Sequence, residues 1–191
     1  MSPKAYLLGS ALMLLAACGS NDQPIATDNG TGNGVDAATE NVGTNDVAAA
    51  PAAAEFVSNV AASDLFEIQS GKLAAEKATS ADVKSFANML VTDHTKSTSD
   101  LKAAAGKATP PISVNPALDA EKQSMLDLLK STATADFDRV FLDQQKQAHQ
   151  KALDLLRQYE SGGDTPALKE FAGKASTVVQ THLDKIDGLK R

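Results

Sequence analysis

From about residue 55 to the end of the chain, apolar residues recur three and four positions apart rather than two. This spacing lines them up along one side of an α-helix, whereas a half-buried strand requires strict alternation. Alanine, leucine, lysine and glutamate are frequent in the same region, and all four favour helix. We therefore predict an all-α domain over residues 55–191, which is long enough to bury a core.

Turn-forming residues divide this region into four long helices and one short helix. Ser, Thr and Asn are typical residues at the position before a helix, Pro at its first position and Gly just after its end. The first predicted helix covers about residues 55–78, and the second runs from a cap at Thr79 and Ser80 to about Gly106. The short helix runs from Asn115 and Pro116 to about Ser131. The fourth covers about residues 135–160 and is followed by Gly162 and Gly163, and the last begins at Thr165 and Pro166.

Two tight helical hairpins joined by a longer crossover are the layout of an up-down four-helix bundle, and ferritin-like folds have one such crossover. We predict this fold, with the short helix lying in the crossover. An alternative is a five-helix globule in which the short helix is a full member of the core. Both arrangements require this helix to pack, because it carries Leu118, Met125, Leu126 and Leu129.

The N-terminus has the layout of an export signal. Lys4 precedes the short apolar run "AYLLGSALMLLAA", which is too short to span a bilayer and ends at "LAAC", Leu15 to Cys18. The segment resembles a bacterial lipoprotein signal, and that resemblance implies removal of residues 1–17 and acylation of Cys18. Because Gly19 follows the cysteine, it also implies an outer-membrane lipoprotein that faces the periplasm. The alternative is an ordinary secretory peptide with an incidental cysteine.

Residues 18–54 are predicted to be a flexible linker behind the lipidated Cys18. Asn, Asp, Gly, Thr and Ala dominate them, without an aromatic residue or a sustained apolar period, so they cannot bury enough apolar surface to offset the entropy of ordering. Cys18 is the only cysteine of the chain, which excludes an intramolecular disulfide. The domain must therefore be stabilised by packing.

All three histidines of the chain fall on apolar helix faces. His94 continues the stripe of Phe86 and Leu90, and His149 and His182 likewise have apolar residues three, four and seven positions away. Such positions are predicted to be buried. If the hairpins fold at Thr79 and Gly163, His149 and His182 differ in height by roughly 7 to 8 Å.

Glu67 supplies an inward polar residue on the first helix, at a height close to that of His94. One polar ligand from each of four helices is how bundles build metal sites. Glu67, His94, His149 and His182 are therefore candidate ligands for one zinc, copper or iron ion, with Asp93 and Asp143 as candidates to orient the rings. The same residues also fit a second interpretation, a hydrogen-bonded polar layer without an ion, in which Gln145 takes part.

Three sequence blocks together resemble a bacterial ferritin-like family of exported and outer-membrane proteins that is catalogued as a domain of unknown function. The blocks are "FEIQSGKLAAEKATSADVKSFANMLVTDHTKS", "FDRVFLDQQKQAHQKAL" and "LKEFAGKASTVVQTHLDKI". The resemblance implies the bundle fold and the envelope location, but no activity. The chain departs from di-iron bundles because it contains no Glu-x-x-His sequence, which argues against ferroxidase, oxygenase and iron-storage functions.

The sequence contains no motif that indicates another functional class. No phosphate-binding glycine loop and no hydrolase nucleophile motif is present, and the net charge of −6 argues against nucleic-acid binding. Two hypotheses remain. One is a non-enzymatic envelope lipoprotein whose acidic helical surface binds a partner protein, and the other is a mononuclear metal-binding bundle for metal buffering, sensing or redox protection.

Overall fold

The computed structural model of the chain describes residues 49–189, and these residues form five α-helices and no strand. The all-α class predicted from apolar spacing is confirmed for this part of the chain. The helices are α1 (Ala53–Lys77), α2 (Ala81–Ala105), α3 (Ala120–Ser131), α4 (Thr134–Gly162) and α5 (Pro166–Leu189).

The predicted boundaries of the long helices are close to the observed ones. The side chain of Ser80 caps α2 by accepting a hydrogen bond from the backbone N–H of Val83 at 3.4 Å, and α5 begins at Pro166 as expected. α1 begins at Ala53, two residues before the predicted start, and α4 extends through Gly162. Differences of one or two residues at helix ends are within the fraying of a terminal turn.

The predicted start of the short helix at Asn115 and Pro116 was wrong, because α3 begins at Ala120. Asp119 is the residue that caps it. Its carboxylate accepts a hydrogen bond from the backbone N–H of Lys122 at 2.8 Å and contacts the Lys122 ammonium at 2.6 Å. An ionised cap at the positive end of a helix is favoured by the helix dipole as well as by the hydrogen bond, and this explains the later start.

The helices pack in pairs, α1 on α2 and α4 on α5, and the pairs meet through α1 with α4 and α2 with α5. α3 lies mainly against α1, with a smaller contact to α4. The apolar residues form two separate clusters. One is built around Phe56, Leu101, Tyr159 and Phe171, and the other around Phe86, Leu90, Phe137, Phe141 and Ile186.

Buried polar residues of α1, α2 and α4 lie between these two clusters along each helix. In α1, for example, Asp64, Glu67 and Ser70 separate Ala61 of the first cluster from Ala74 of the second. A buried polar group requires hydrogen bonds or a bound ion to offset its lost hydration. The candidate site is therefore a polar layer in the middle of an apolar core.

Asp138 of α4 fixes the turn between α1 and α2 against the other helix pair. Its carboxylate accepts hydrogen bonds from the backbone N–H of Thr79 at 3.0 Å, from the Thr79 hydroxyl at 2.7 Å and from the backbone N–H of Ser80 at 2.8 Å. Partial burial raises the pKa of Asp138, but these hydrogen bonds outweigh it and leave the pKa below its usual value. This contact helps to set the register in which the two pairs meet.

The predicted signal peptide, the lipidation site at Cys18 and most of the predicted linker lie outside the described residues. Of the predicted linker, residues 49–54 are described, and the last two belong to α1. Ala49 accepts a hydrogen bond from the side-chain amide of Gln158 at 3.0 Å. None of the helices within residues 49–189 combines the length and the hydropathy that crossing a membrane requires.

Candidate metal centre

The three histidines predicted to face inward do converge. His94 comes from α2, His149 from α4 and His182 from α5, and all three are buried. One ring nitrogen from each lies within 4.8 Å of the corresponding nitrogens of the other two. The ring centroids form a nearly equilateral triangle with sides of 5.6, 5.5 and 5.2 Å.

His149 and His182 are closer in height than the hairpin estimate from the sequence predicted. α4 continues to Gly162 and α5 starts at Pro166, so the turn is centred one residue later than Gly163. The height difference then falls to about 4 to 5 Å, which the two side chains span. His149 Nε2 lies 3.1 Å from His182 Nδ1.

Gly163 allows this turn through close packing rather than through a left-handed backbone. Its φ is −64°, a value that any residue can adopt. A β-carbon at this position would lie 2.5 Å from both the ring and the carbonyl oxygen of Tyr159. Any larger residue would therefore push the start of α5 away from the end of α4.

Each imidazole directs one ring nitrogen away from the centre of the cluster, toward an oxygen that can accept a hydrogen bond. His94 Nδ1 lies 2.8 Å from Asp64 Oδ1, and His182 Nε2 lies 2.9 Å from Asp93 Oδ2. His149 Nδ1 lies 2.9 Å from the backbone carbonyl oxygen of Gln145. In metal sites, histidine ligands almost always donate their second N–H in this way, which fixes the tautomer and orients the other nitrogen.

The contact between His149 and His182 lacks the proton that a hydrogen bond between the two rings would require. Each neutral ring carries a single N–H. The outer acceptors, the carbonyl of Gln145 and the carboxylate of Asp93, both require that proton. His149 Nε2 and His182 Nδ1 therefore face each other at 3.1 Å with a lone pair on each atom. Only a positive charge between them, either an extra proton or a metal ion, makes this contact attractive.

An extra proton is disfavoured at this position. Burial lowers the pKa of His149 well below its ordinary value, and the charges of His94 and His182 lower it further. Burial also lowers the pKa of His182, and the hydrogen bond that its ring donates to Asp93 only partly offsets this effect. Both rings are therefore neutral at pH 7, and a metal ion can supply the missing positive charge.

His94 presents the third nitrogen to the cluster. Its Nε2 atom is buried and has no hydrogen-bond partner among residues 49–189. Burial alone would lower the pKa of His94, but the hydrogen bond to Asp64 and the nearby charges of Glu67 and Asp93 raise it above the ordinary value. The raised pKa makes Nε2 a stronger base that binds either a proton or a metal ion more readily, and the carboxylate behind the ring orients it as in metal sites.

Glu67, the fourth predicted ligand, lies beside the cluster on α1 but is not among the residues whose ligand atoms converge within 4.8 Å. Its Oε1 atom is 3.7 Å from His149 Nδ1, and its Oε2 atom has no partner within the described chain. Complete burial raises the pKa of Glu67 to about 7, although the charge of His94 and the side-chain amide of Gln145 act in the opposite direction. A cation bound nearby would favour the ionised carboxylate.

The predicted orienting residues have different outcomes. Asp93 contacts His182 as expected. Asp143 lies on the surface, where Oδ2 is 3.7 Å from Arg139 Nη1. Gln145 acts through its backbone carbonyl on His149, while its side-chain amide donates to the hydroxyl of Ser70 at 3.1 Å.

Asp64 is the functional residue that the sequence interpretation missed. It is only 2% exposed, and besides His94 it also accepts a hydrogen bond from the hydroxyl of Thr98 at 3.1 Å. The available signal was its spacing, because a residue three positions before Glu67 lies on the same helix face.

The chain shares this domain with a recognised family. The family described as "Domain of unknown function (DUF4142)" matches residues 38–189. The chain belongs to this family. The DUF4142 match covers all five helices and begins within residues that the sequence predicted to be linker. No curated protein and no solved structure matches the chain.

Proposed function

We propose that the domain binds one transition-metal ion through His94, His149 and His182, and that its role is to hold this ion rather than to catalyse a reaction. The observation that carries the proposal is the 3.1 Å contact between His149 Nε2 and His182 Nδ1. Each ring donates its one N–H to an acceptor on its other side, the carbonyl of Gln145 or the carboxylate of Asp93, so both facing nitrogens carry a lone pair. The unpartnered Nε2 of His94 supports the same conclusion.

Zinc, copper or iron fits this ligand set. Imidazole nitrogen suits all three metals, whereas magnesium and calcium prefer oxygen ligands. In tetrahedral zinc sites each nitrogen lies about 2.0 to 2.1 Å from the metal, so the nitrogens are about 3.4 Å apart. The present separations, up to 4.8 Å, require small movements of the rings as the ion binds.

Glu67 is the proposed fourth ligand, through Oε2, after its carboxylate moves from beside His149 Nδ1 toward the ion. With Asp64 and Asp93 behind two of the rings, the ionised Glu67 would bring three carboxylates to a layer that holds no lysine or arginine among its buried described residues. A divalent cation would offset much of that negative charge.

We further propose a ferritin-like up-down bundle with α3 in the crossover, attached to the outer membrane through lipidated Cys18. The pairing of α1 with α2 and of α4 with α5, and the position of α3 on α1, support this arrangement. The lipid attachment rests on the "LAAC" sequence. In the envelope, such a domain would buffer or sense a metal, or use it in redox protection, alone or with an envelope protein partner.

Elemental analysis of the full chain, purified without a histidine tag, tests the proposal. We expect about one zinc, copper or iron ion per chain, and loss of this ion from the double variant His94→Ala, His182→Ala. Gln144→Ala is the matched control. Gln144 is buried like the replaced histidines and lies on α4, but its side-chain amide donates a hydrogen bond to the backbone carbonyl of Met125.

The control variant should retain the ion. Circular dichroism of each variant establishes that the helices are intact. A folded wild-type chain that binds none of these metals stoichiometrically, even after reconstitution, would contradict the proposal and leave the hydrogen-bonded polar layer as the better explanation.

A further inference from the structure

A cavity of about 600 Å³ is open to the protein surface and is lined by His94, but not by His149 or His182. All five helices contribute to its wall. This volume is typical of sites that hold a small organic molecule.

The wall is mainly apolar. Val60, Ala104, Leu156, Phe171 and Val179 all line it. Val178, one of two large apolar side chains that are exposed among the described residues, also lines the cavity and is 42% exposed. An apolar compound can therefore remain in contact with apolar side chains from solvent to the interior.

The charged residues of the wall balance one another, because lysines and acidic residues occur in equal number. Several form pairs at the surface, such as Lys174 with Glu170 at 2.7 Å and Lys96 with Asp100 at 2.5 Å. The cavity thus offers no excess charge that would select a strongly anionic or cationic compound.

The inner end of the cavity is polar at one place. His94 lines it together with Asp64 and Asp93, the acceptors behind two of the three rings. The Nε2 atom of His94 has no hydrogen-bond partner within the described residues, and the residue is only 7% exposed. A compound in the cavity would therefore approach the ion on the side of His94.

We propose that this cavity binds a small, uncharged, mainly apolar molecule with one nitrogen or oxygen donor atom, which coordinates the ion held by the three histidines in the position that Glu67 otherwise takes. This inference rests on the proposed metal site and adds an exogenous ligand to it. Apolar contacts along the cavity provide affinity, and coordination of the donor atom determines the orientation of the molecule.

The test uses 4-phenylimidazole as a probe and the full chain loaded with Cu²⁺ or Co²⁺, whose visible spectra report a new ligand. We expect the probe to shift the spectrum and to bind at least about tenfold more tightly than imidazole, because the cavity buries its phenyl ring. 3-Phenylpyrrole is the matched probe, since it has a similar shape but lacks a basic nitrogen, and should leave the spectrum unchanged.

Two variants locate the binding site. Ala175 lines the cavity on α5, two turns before His182, so Ala175→Phe should weaken 4-phenylimidazole binding at least about tenfold with the metal content unchanged. Ala152→Phe fills the cavity from α4 and provides a second variant if the first does not fold. Ala135→Phe, at an exposed position outside the cavity, should bind the probe as the wild type does.

The results separate the two proposals. A chain that binds the metal but shows no spectral shift, equal affinity for imidazole and 4-phenylimidazole, or unchanged binding in a folded cavity variant would overturn the cavity inference alone. Equal binding of 3-phenylpyrrole would overturn the role of the donor atom. Failure to bind any metal would contradict the proposed function and, with it, this inference.

Discussion

Asp64 determines how His94 is presented to the cluster. Its carboxylate lies 2.8 Å from His94 Nδ1 and favours the tautomer that leaves Nε2 with a lone pair. In Asp64→Asn the negative charge is lost, and the amide NH₂ competes with the oxygen for the position facing the ring. We expect metal affinity to fall by about 10- to 100-fold, as for other partners behind histidine ligands, measured by competition with a chelating indicator.

Asp154→Asn is the control for this prediction. Asp154 is exposed on α4, so its variant removes the same charge from the surface. An affinity loss in Asp154→Asn equal to that in Asp64→Asn would show that net charge, and not the orientation of His94, causes the effect.

Glu67 gives the metal-free protein a distinct dependence on pH. Because burial raises its pKa from 4.5 to about 7, the folded state holds a proton that the unfolded state releases between these values. The contribution of Glu67 is therefore fully favourable below pH 4.5 and is lost as the pH rises through 7. Relative to wild type, Glu67→Gln should gain about 2 to 3 kcal/mol in free energy of unfolding between pH 5 and 8.

Urea unfolding of the metal-free chains at both pH values measures this difference. The lowered pKa values of His149 and His182 act in the opposite direction, but they are present in both proteins and largely cancel in the comparison. The part of the raised pKa of His94 that comes from the charge of Glu67 is lost together with Glu67 and has the same sign as the predicted effect. Glu76→Gln, at an exposed position of the same helix, should differ from wild type by no more than about 0.5 kcal/mol at either pH. A pH-independent difference for Glu67→Gln would contradict the assignment.

At the scale of single residues, helical periodicity was sufficient to place the three histidines and Glu67 inside. It did not identify Asp64, because periodicity gives the face on which a residue lies but not the neighbour its side chain reaches. It also did not determine which nitrogen of each ring faces inward, since that depends on acceptors contributed by other helices, such as Asp64 for His94.

Gly71 sets the distance between α1 and α2. A β-carbon at this position would lie 2.9 Å from Val91 Cγ2 and 3.0 Å from the carbonyl oxygen of Ala87. Gly71→Ala should therefore push the two helices apart and lower the free energy of unfolding by about 1 to 3 kcal/mol, despite the better helix propensity of alanine. Chemical denaturation measures the change.

Gly188→Ala is the matched substitution near the end of α5. A β-carbon there has no heavy atom within 4 Å, so stability should stay unchanged or rise by up to about 1 kcal/mol. If Gly71→Ala were equally harmless, the close contact between α1 and α2 would not hold in solution.

Local capping signals explain which helix boundaries could be predicted. Ser80 and Pro166 mark true starts because each lies directly before or at the beginning of a long apolar pattern. Asn115 and Pro116 carry an equally good local signal, but an Asn-Pro pair is also typical of turns. Asp119, three residues before Lys122, is an equally good cap in the sequence, and its contacts with Lys122 explain why α3 begins at Ala120.

For the whole molecule, the sequence predicts attachment to a membrane through Cys18. The wild-type chain should incorporate labelled palmitate and fractionate with the outer membrane, because several acyl chains bind a bilayer durably. Cys18→Ser should lose the label and leave the outer-membrane fraction. Label in Cys18→Ser, or none in the wild type, would contradict lipidation at this residue.

The helical class and the chain order of the helices could be predicted because they depend on local spacing. The division of the core could not be predicted in the same way. Two apolar clusters with the polar layer between them arise only when the helices are packed in register, for example through the contacts of Asp138 with Thr79 and Ser80. The close approach of His149 and His182 depends on the same packing.

X-ray absorption spectroscopy of the zinc-loaded protein tests the convergence of the three histidines on one ion most directly. We predict a four-coordinate shell with three imidazole nitrogens at about 2.0 to 2.1 Å, and loss of one imidazole contribution in His94→Ala. Two results would contradict the proposed histidine site. One is a coordination shell dominated by oxygen, and the other is a shell that stays the same after replacement of one of the three histidines.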